Sequence, residues 1–554
     1  MKRTVRIKCL NNNLQKEYPL GTTLQQIADD MKIKLENPIL GAYVNNTLTE
    51  LSYELYHPKN IRFIDITEPD GMRMYIRSLS FVLSLAVKEL YPHATLRIEH
   101  SVSKGTYCSL ENIEELQMIE ILEIGDKMRK LIDADIPFIR KEEESDEVIK
   151  LFEAENQFDK TDLIKHRGQV YTTYYTLDNH IGMYYGYMVP STGYLKVFDL
   201  IKYYNGMLLQ IPKRTQPDLL EDIVIQNKMF DIFQEFAEWN RVLKVSNLAD
   251  INSACNNGKA ETLVKVSEAL HEKKIGHIAD MIAARNHQVK LVLISGPSSS
   301  GKTTFGKRLA IQLMVAGMKP LNLSLDNYFV NREQTPLDEN GDFDFEALNA
   351  LDIELFNQQL VDLLAGNEVE IPKFSFEKGE RYYDGEKLQM GDDNILIVEG
   401  IHGLNPQLTH LIPNESKFKI YVSALTSINI DNQNLIHTTD NRLIRRIVRD
   451  YKYRKYSAQD TISRWPSVRR GEDLHIFPYQ EEADVMFNTA LLYELSVLKP
   501  LAESILLEVQ PNQKEYSEAR RLLRFFSYFK PLLSSDIPPT SILREFVGGS
   551  SFSY

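Results

Sequence analysis

Residues 296–303, Gly-Pro-Ser-Ser-Ser-Gly-Lys-Thr, have the residue types and spacing needed to hold the phosphates of a nucleotide. The two glycines allow a tight turn in which successive backbone N–H groups point inward at phosphate oxygens. Lys302 can reach the β- and γ-phosphates, and the Thr303 hydroxyl can bind Mg²⁺. The residues expected to contact the nucleotide are Gly296, Ser298, Ser299, Ser300, Gly301, Lys302, Thr303 and Thr304. The segment therefore predicts binding of a nucleoside triphosphate.

Two carboxylates that follow apolar runs are candidates for phosphoryl-transfer chemistry. Asp326 ends the run that starts at Leu321, and Glu399 directly follows residues 395–398. Open α/β sheets bind their ligands at the carboxyl ends of the strands. Asp326 could accept the proton of an attacking hydroxyl there, although an isolated Asp is more often a helix cap or a turn residue. Glu399 could hold Mg²⁺ directly or through water.

A third candidate group is basic. Residues 440–454 have helical periodicity, with arginines on one face and aliphatic residues on the adjoining face. The arginines on that face are Arg442, Arg445, Arg446 and Arg449. Guanidinium groups match the geometry of phosphate, so such a helix could close over a transferring phosphoryl group as a lid. A solvated basic face is the alternative interpretation.

The elements that must position these groups occur in the required order. The apolar run 291–294 predicts a parallel strand buried on both faces, and the residues after Thr303 predict a helix that starts at the loop. The N-terminus of that helix adds partial positive charge for a phosphate. Strands and helices then alternate as far as about residue 507, which predicts an α/β fold with a doubly wound parallel sheet.

The remaining sequence divides by composition and periodicity. The N-terminal residues predict a small α+β unit, followed by an α+β region with an amphipathic helix at 78–90 and a Tyr-rich, strand-like stretch at 171–194. A helical bridge and a helical C-terminal extension are expected on either side of the α/β region. The predicted boundaries are 1–68, 69–215, 216–287, 288–507 and 508–554.

Composition narrows the class of protein. The formal net charge of −13 argues against nucleic-acid binding through the overall surface field. The three cysteines are far apart and form no metal or redox spacing. No apolar run approaches the ~20 residues that cross a bilayer, and the N-terminus lacks a signal-peptide core. These features predict a cytoplasmic protein without a membrane partner. They do not decide whether the protein is a monomer or a homo-oligomer.

The motifs of the C-terminal half, taken in order, resemble the uridine kinase and phosphoribulokinase family of P-loop kinases. The matching runs are Gly296-Pro-Ser-Ser-Ser-Gly-Lys-Thr, Ser324-Leu-Asp-Asn-Tyr-Phe, Phe343-Asp-Phe, Val398-Glu-Gly-Ile-His and Arg445-Arg-Ile-Val-Arg-Asp. The combination is far more specific than any single motif. The resemblance covers residues 288–507 and implies a kinase that uses ATP and Mg²⁺.

The resemblance also implies roles for individual residues. Asp326 would be the general base for a nucleoside 5′-hydroxyl, with Lys302 and Arg449 as its catalytic partners. Asp344 would bind ribose hydroxyls. The arginines implied to serve the lid and the phosphates are Arg446, Arg449 and Arg454, with Arg454 at the nucleotide. The other substrate contacts implied are Tyr328, Phe374, Arg381 and Arg446. Thr303 and Glu399 would hold the metal ion.

The departures from the family pattern fall on the base pocket. Uridine kinases carry Pro-x-Tyr-Asp-Phe followed by a His and an Arg that help to read the pyrimidine. Here Phe374 and Ser375 replace the Tyr and the Asp, and Gly379 stands where the His would be. A site without hydrogen-bonding groups cannot discriminate bases through them. The preferred nucleoside is therefore not fixed by the sequence.

The N-terminal half has two further likenesses. Tyr18-Pro-Leu-Gly-Thr-Thr-Leu, Val44-Asn-Asn-Thr-Leu and Phe63-Ile-Asp resemble a TGS domain, a small ubiquitin-like module. Residues 78–92 and Gly105-Thr-Tyr-Cys resemble the second domain of threonyl-tRNA synthetase. In that domain two histidines and a Cys-x-x-x-His pair edit mischarged tRNA. Arg77 and Phe81 take the two His positions and the pair is missing, so we expect no editing activity.

The sequence thus favours an ATP-dependent nucleoside kinase over two alternatives. One is a kinase of another small hydroxyl compound, such as a phosphorylated sugar or pantothenate. The other is an RNA- or ribosome-associated regulator that uses nucleotide binding as a switch, with RNA contacted through the Tyr-rich stretch. Retention of both Asp326 and Asp344 favours the kinase, because a switch needs no sugar-binding acid.

Overall fold

The computed structural model describes residues 3–113, 116–285, 288–339 and 341–553. Its N-terminal residues form a small mixed sheet packed on one helix. The elements are β1 (Thr4–Cys9), β2 (Gln15–Pro19), β3 (Thr22–Thr23), α1 (Leu24–Asp30), β4 (Gly41–Val44), β5 (Thr47–Thr49), β6 (Glu54–Leu55) and β7 (Lys59–Ile64). Strand order is β2-β1-β7-β4-β5, with β1 and β7 parallel. Residues of β1 alternate between exposed and buried, so one face of the sheet covers α1.

The second region is also α+β. Its elements are α2 (Pro69–Leu90), β8 (Thr95–Val102), β9 (Gly105–Glu111), α3 (Met118–Asp133), β10 (Ile139–Glu144), α4 (Ser145–Ala154), α5 (Phe158–Arg167), β11 (Tyr171–Leu177), β12 (His180–Gly182), β13 (Asp199–Tyr203), β14 (Gly206–Gln210), β15 (Pro212–Lys213) and β16 (Gln216–Leu220). An antiparallel sheet of order β13-β14-β9-β8 packs against α2 and α3. A second sheet, β10-β11-β12, packs against α4.

Three helices lead to a parallel sheet. They are α6 (Asn227–Leu243), α7 (Leu248–Asn256) and α8 (Ala260–Ala283). The sheet region contains β17 (Leu291–Ser295), α9 (Lys302–Val315), β18 (Lys319–Ser324), α10 (Ile353–Leu364), β19 (Val369–Glu370), β20 (Lys373–Ser375), β21 (Glu380–Tyr382), β22 (Lys387–Leu388), β23 (Asn394–Glu399), β24 (Lys417–Ser423), α11 (Thr438–Arg454), α12 (Ala458–His475), β25 (Val485–Asn488) and α13 (Glu494–Leu506). The parallel order β18-β23-β17-β24-β25 confirms the predicted α/β fold.

The C-terminal residues fold back over this sheet region. The described part of this extension contains two α-helices, α14 (Tyr516–Phe526) and α15 (Arg544–Val547). Ile542, Leu543 and Phe546 have no exposed surface and belong to the same apolar core as the parallel sheet. The extension was expected to be helical, but its residues outside α14 and α15 are mostly irregular. It is part of the core because its apolar side chains are buried there.

The same core reaches into the second region. Phe152 on α4 and Leu163 on α5 are fully buried in one cluster with residues of α8, β17 and α11. Polar contacts tie the two parts together as well. Asn434 Nδ2 donates to the carbonyl of Met183 at 2.8 Å, and the backbone N–H of Ile98 donates to the carbonyl of Asn432 at 2.8 Å. The second region and the parallel-sheet region therefore stabilise one another.

Three expectations about local structure need correction. The amphipathic helix predicted at 78–90 already begins at Pro69, whose fixed φ suits the first turn of a helix. The segment 216–287, expected to be a helical bridge, opens with strand β16, which pairs with β15. The stretch 171–194 forms strands only in β11 and β12. Four of its tyrosines, Tyr174, Tyr175, Tyr184 and Tyr185, are buried, so their rings are not available to stack on bases.

No helix among the residues that the structure describes combines the length and the apolar character needed to cross a membrane.

Buried histidines predict acid-sensitive stability. Burial lowers the pKa of His271, on α8, to about 3, and burial has the same effect on His100 and His180. In the unfolded chain a histidine titrates near pH ~6.5. Below that pH the unfolded state therefore takes up protons that the folded state does not, and the free energy of unfolding falls until about pH 3. We expect chemical denaturation at pH 7.5, 6.5 and 5.5 to show this loss well above the usual carboxylate range.

The matched variants for that experiment are His271→Gln and, as the control, the exposed His93→Gln. The first should flatten the fall in unfolding free energy between pH 7.5 and 5.5 and the second should leave it unchanged. An identical slope for both variants would contradict the assignment of this acid sensitivity to His271.

Candidate active site

The loop between β17 and α9 lies against the neighbouring strand of the sheet. A Cβ atom at Gly296 would lie 1.9 Å from the carbonyl oxygen of Val422, so no larger residue fits there. Lys302 Nζ donates to the carbonyl of Pro297 at 3.1 Å, which folds the side chain back over the loop. Burial lowers the pKa of Lys302, while Glu399 and Asp326 oppose that shift. A desolvated ammonium group enclosed by the loop is suited to a phosphate.

The two predicted carboxylates come together beside this lysine. Ser324, at the end of β18, lies opposite Glu399, at the end of β23, in the parallel register. Ser324 Oγ and Thr303 Oγ1 donate to Glu399 Oε1 at 3.0 and 3.3 Å. Asp326 follows Ser324 and interacts electrostatically with Lys302 and Glu399. Strand ends of one parallel sheet meet at one edge, which explains why residues 73 positions apart share a site.

Burial dominates the titration of both acids. It raises the pKa of Glu399 to about 7, with the neighbouring Asp326 adding to the rise and Lys302 opposing it. Burial likewise raises the pKa of Asp326, against the pull of Lys302, Arg454 and Arg449. A carboxylate and a hydroxyl are oxygen donors of the kind that Mg²⁺ prefers. Thr303 and Glu399 therefore fit the metal ion that the loop motif implies.

Only part of the arginine face of α11 is available to a ligand. Arg442 is buried against Glu472, and Arg445 is buried with Glu494 at 2.5 Å. The interpretation of all four arginines as a phosphate-facing set is therefore wrong for these two, because each is neutralised inside the protein. Arg442 also donates to the carbonyl of Ser298 at 3.0 Å, so it supports the loop from behind.

Three other arginines share a single acid near the loop. Arg446, Arg449 and Arg454 all lie within 4.0 Å of a carboxylate oxygen of Asp450, at 3.3, 2.7 and 3.7 Å. Arg446 Nη1 also donates to Ser298 Oγ at 2.8 Å. Burial and the neighbouring Arg449 lower the pKa of Arg454 to about 10. The three guanidinium groups and one carboxylate leave an excess positive charge, which suits a polyanionic ligand.

Two of the residues implied for substrate binding, Asp344 and Tyr328, differ in their surroundings. Asp344 lies 3.7 Å from His475 and accepts the N–H of Glu346 at 3.1 Å. Tyr328 is fully buried, and its hydroxyl donates to Gln359 Oε1 at 2.7 Å. The substrate contact implied for Tyr328 is therefore wrong, because the side chain belongs to the core beside Phe356.

The altered base-pocket segment forms an aromatic patch. Phe374 contacts Phe329 and Phe376, with ring centroids 5.5 and 5.2 Å apart, and the Phe376 ring faces Arg454 at 5.5 Å. Gly379 has φ +74°, a conformation that L-residues rarely adopt. A histidine at that position would be strained. Arg381 pairs with Asp352, the N-cap residue of α10, at 2.8 Å and is thereby tied to the scaffold.

Three glutamates near the loop were not identified from the sequence. Glu472 Oε1 accepts the N–H of Ser298 at 3.0 Å. Burial and the nearby Glu472 raise the pKa of Glu346 to about 7, and its Oε2 has no hydrogen-bond partner among the described residues. Glu545 on α15 accepts from the N–H and the hydroxyl of Thr304, at 3.3 and 2.6 Å. The nearness of Glu346 to Asp344 was a usable signal, whereas nothing local marks Glu472 or Glu545.

Glu545 predicts a measurable effect on nucleotide binding. Its carboxylate uses the N–H and O–H of Thr304 at the start of α9, which are donors that a nucleotide phosphate would need. We expect Glu545→Ala to tighten ATP binding about tenfold, since one charge-assisted contact and one like charge are removed. Calorimetric titration of the full chain with ATP measures this. The ATP affinity of Glu545→Gln, which removes only the charge, should lie between those of the wild type and Glu545→Ala. Weaker ATP binding by Glu545→Ala than by the wild type would show instead that the carboxylate supports the loop.

Two parts of the chain are similar to different known proteins. The N-terminal region is similar to threonine–tRNA ligases. The enzyme of Carboxydothermus hydrogenoformans is 28% identical over 191 residues, which is 34% of this chain and 30% of that ligase. For the enzyme of Coxiella burnetii the figures are 28% over 189 residues, 34% of this chain and 29% of the ligase. The chain thus spans about 30% of the length of these curated relatives.

Two solved structures resemble the C-terminal region. A "Possible Uridine Kinase" from Bacillus stearothermophilus is 19% identical, with 39% of this chain and 98% of that chain covered and a TM-score of 0.27. The D-glycerate 3-kinase of Cryptococcus neoformans var. grubii is 15% identical, with coverages of 48% and 89% and a TM-score of 0.21. The model of the family "Phosphoribulokinase / Uridine kinase family" matches residues 291–493. Residues 291–493 of this chain therefore match the phosphoribulokinase and uridine kinase family, and they follow an N-terminal region similar to threonine–tRNA ligases.

Proposed function

We propose that the protein is an ATP- and Mg²⁺-dependent kinase that phosphorylates the 5′-hydroxyl of a nucleoside. The observation that carries the proposal is the convergence of Lys302, Asp326 and Glu399 at one edge of the parallel sheet, next to the phosphate loop. The family match at residues 291–493 supports phosphoryl transfer to a small hydroxyl compound. The choice of a nucleoside rests on Asp344 as a sugar-binding acid and on the aromatic patch around Phe374.

Each group of residues at the site has its own role in the proposed reaction. The loop amides and Lys302 bind the triphosphate, and Arg446, Arg449 and Arg454 neutralise charge that develops on the transferring group. The attacking 5′-oxygen bonds to the γ-phosphorus while the bond from that phosphorus to the bridging oxygen of ADP breaks. Asp326 takes the proton of the hydroxyl. Thr303 and Glu399 would hold Mg²⁺, which when bound would supply further neutralisation of the phosphate oxygens.

The aromatic patch bears on which nucleoside is accepted. Phe374 and Phe376, which are not buried, offer ring faces on which a base can stack, and stacking tolerates different bases. The side chain of Phe374 offers no hydrogen bond to distinguish uracil from cytosine. We therefore expect activity on more than one nucleoside, in contrast to a site that reads a base edge.

The test is ATP-dependent product formation across a panel of ribo- and deoxyribonucleosides, analysed by mass spectrometry, with Lys302→Ala as the control. A nucleoside monophosphate that forms with the wild type and not with Lys302→Ala supports the proposal. No product with any nucleoside, while ATP still binds, would overturn it. The same assay with phosphorylated sugars and pantothenate then tests the other kinase hypothesis, and retention of tRNA at physiological salt tests the RNA-linked switch.

A further inference from the structure

A pocket rich in arginine lies away from the phosphate loop, where four parts of the chain meet. It is formed by β5 of the N-terminal sheet, helix α2, residues 185–187 and helix α14. Five arginines line it: Arg73, Arg77, Arg520, Arg521 and Arg524. We call this the arginine pocket. Nothing in the proposed kinase reaction uses these residues.

Arg77 is held in place without a counter-ion from any residue that the structure describes. Its guanidinium group packs on Gly186, where an added Cβ would lie 2.3 Å from Cζ, and faces the ring of Tyr185 at 5.4 Å. Nη1 donates to the carbonyl of Tyr187 at 2.7 Å. No carboxylate among the described residues lies within 4.0 Å of it, and burial lowers the pKa of Arg77. A desolvated cation fixed by three contacts and lacking an acid would be stabilised by an anion.

The acids nearby are already engaged by other arginines. Arg73 pairs with Asp70 at 2.7 Å and with Glu518 at 2.9 Å. Arg521 pairs with Asp440 and with the same Glu518, both at 2.7 Å. Three carboxylates are thus shared between two arginines. With the other three arginines of the pocket included, the cluster retains a net charge of +2 if all eight groups are ionised.

The mouth of the pocket is also basic. Arg520 and Arg524 lie one turn apart on α14 and are exposed. Arg524 Nη2 donates to the hydroxyl of Tyr187 at 3.4 Å, and its guanidinium group faces the Tyr187 ring at 5.0 Å. Arg77 is less exposed than these two arginines and packs against Gly186, so the pocket has cations both inside it and at its mouth.

From this arrangement we propose that the arginine pocket is a binding site for a phosphate group, either free or carried by a small molecule. Arg77 would bind from below and Arg520 and Arg524 from the mouth, since forked guanidinium donors match phosphate oxygens. The cavity of 30 Å³ is large enough for about two water molecules, each of which needs ~10–15 Å³ on this measure. That space can hold no more than one phosphate group, so the rest of a larger ligand would lie outside.

The site has a structural route to the kinase domain. Arg521 on α14 joins Asp440 in the first turn of α11, through two contacts of 2.7 Å. The same helix carries Arg446 and Arg449 near the phosphate loop. A phosphate bound in the arginine pocket would therefore contact the helix α14 that orients the start of α11.

The test is calorimetric titration of the full-length Lys302→Ala chain with inorganic phosphate and, separately, with AMP. This background weakens the phosphate loop as a competing site. We expect one equivalent to bind and Arg77→Gln to weaken binding about tenfold or more, the effect of losing charge-assisted hydrogen bonds. The Arg520→Gln/Arg524→Gln double variant should weaken it similarly. Arg129→Gln, an arginine of α3 outside the pocket, is the matched control and should leave binding unchanged.

The outcomes separate clearly. Binding of AMP at least about tenfold tighter than phosphate identifies a nucleotide as the ligand, and equal affinity identifies free phosphate. Dissociation constants above about 10 mM for both probes overturn the proposal. So does binding that survives both the Arg77→Gln and the Arg520→Gln/Arg524→Gln changes. Because Arg520 and Arg524 are exposed, the double variant remains informative even if Arg77→Gln destabilises the fold.

Discussion

Replacing Asp326 by asparagine should lower kcat about a thousandfold, within the range of 10²–10⁴ that general acid–base groups contribute. Asparagine keeps the size of the side chain and the hydrogen bond from the N–H of residue 326 to Ser324 Oγ, which is 3.3 Å long. It cannot accept the proton of the attacking hydroxyl. Affinity for ATP should stay close to that of the wild type, because Asp326 is not part of the phosphate loop.

The measurement is the initial rate with the best nucleoside of the panel, together with an ATP titration of each variant. The exposed Asp392→Asn is the matched control and should retain full activity. A rate for Asp326→Asn equal to that of the wild type would contradict the role as base. Loss of ATP binding in this variant would instead assign Asp326 to nucleotide binding.

Replacing Glu494 by glutamine should lower the free energy of unfolding by about 3–5 kcal/mol, the usual effect of removing one partner of a buried ion pair. Arg445 has no exposed surface, and its guanidinium group lies 2.5 Å from Glu494. It also donates to the carbonyl of Thr489 at 2.9 Å. In Glu494→Gln the buried cation keeps that carbonyl and loses its counter-charge. Because Arg445 also lies beside the loop residue Ser299, at 3.4 Å from its carbonyl, ATP binding should weaken too.

Urea denaturation with and without ATP measures both effects. Glu147→Gln, which breaks the exposed pair between Glu147 and Lys150, should change stability by less than about 1 kcal/mol. The double variant Arg445→Met/Glu494→Leu removes both charges and should recover much of the loss, since no unpaired ion remains. A single variant as stable as the wild type would show that Arg445 does not need this acid.

Some features of the protein were determined by sequence alone, because they depend on local geometry. The loop 296–303 needs only its two glycines, its Lys-Thr pair and the flanking strand and helix, all of which are contiguous. The positions of Asp326 and Glu399 followed from apolar runs that end in an acid, since parallel strands place their carboxyl ends at one edge. The α/β order of residues 288–507 was likewise predictable from alternation of apolar runs and helical periods.

Other features were decided only by the tertiary structure. Helical periodicity placed Arg442, Arg445, Arg446 and Arg449 on one face of α11, but it could not tell which of them meet Glu472 and Glu494 in the interior. Tyr328 lies two residues after Asp326, the proposed general base, yet its side chain is buried in the core. In a helix, the side chains of successive residues point in directions about 100° apart. Neighbours in sequence therefore need not lie on the same surface.

The contacts that the sequence was least able to predict join segments that are distant in the chain. Glu545 lies 241 residues from Thr304 in the chain, and Arg524 lies 337 residues from Tyr187. No local pattern predicts such pairs, because they form only when the C-terminal residues fold back over the parallel sheet. The core shared by α4, α5 and α11 arises in the same way. Deleting residues 1–215 would therefore expose apolar surface that is buried in the full chain. The sequence by itself determined the chemistry of the loop and of the strand ends, whereas long-range packing decided which charged groups are left free to act.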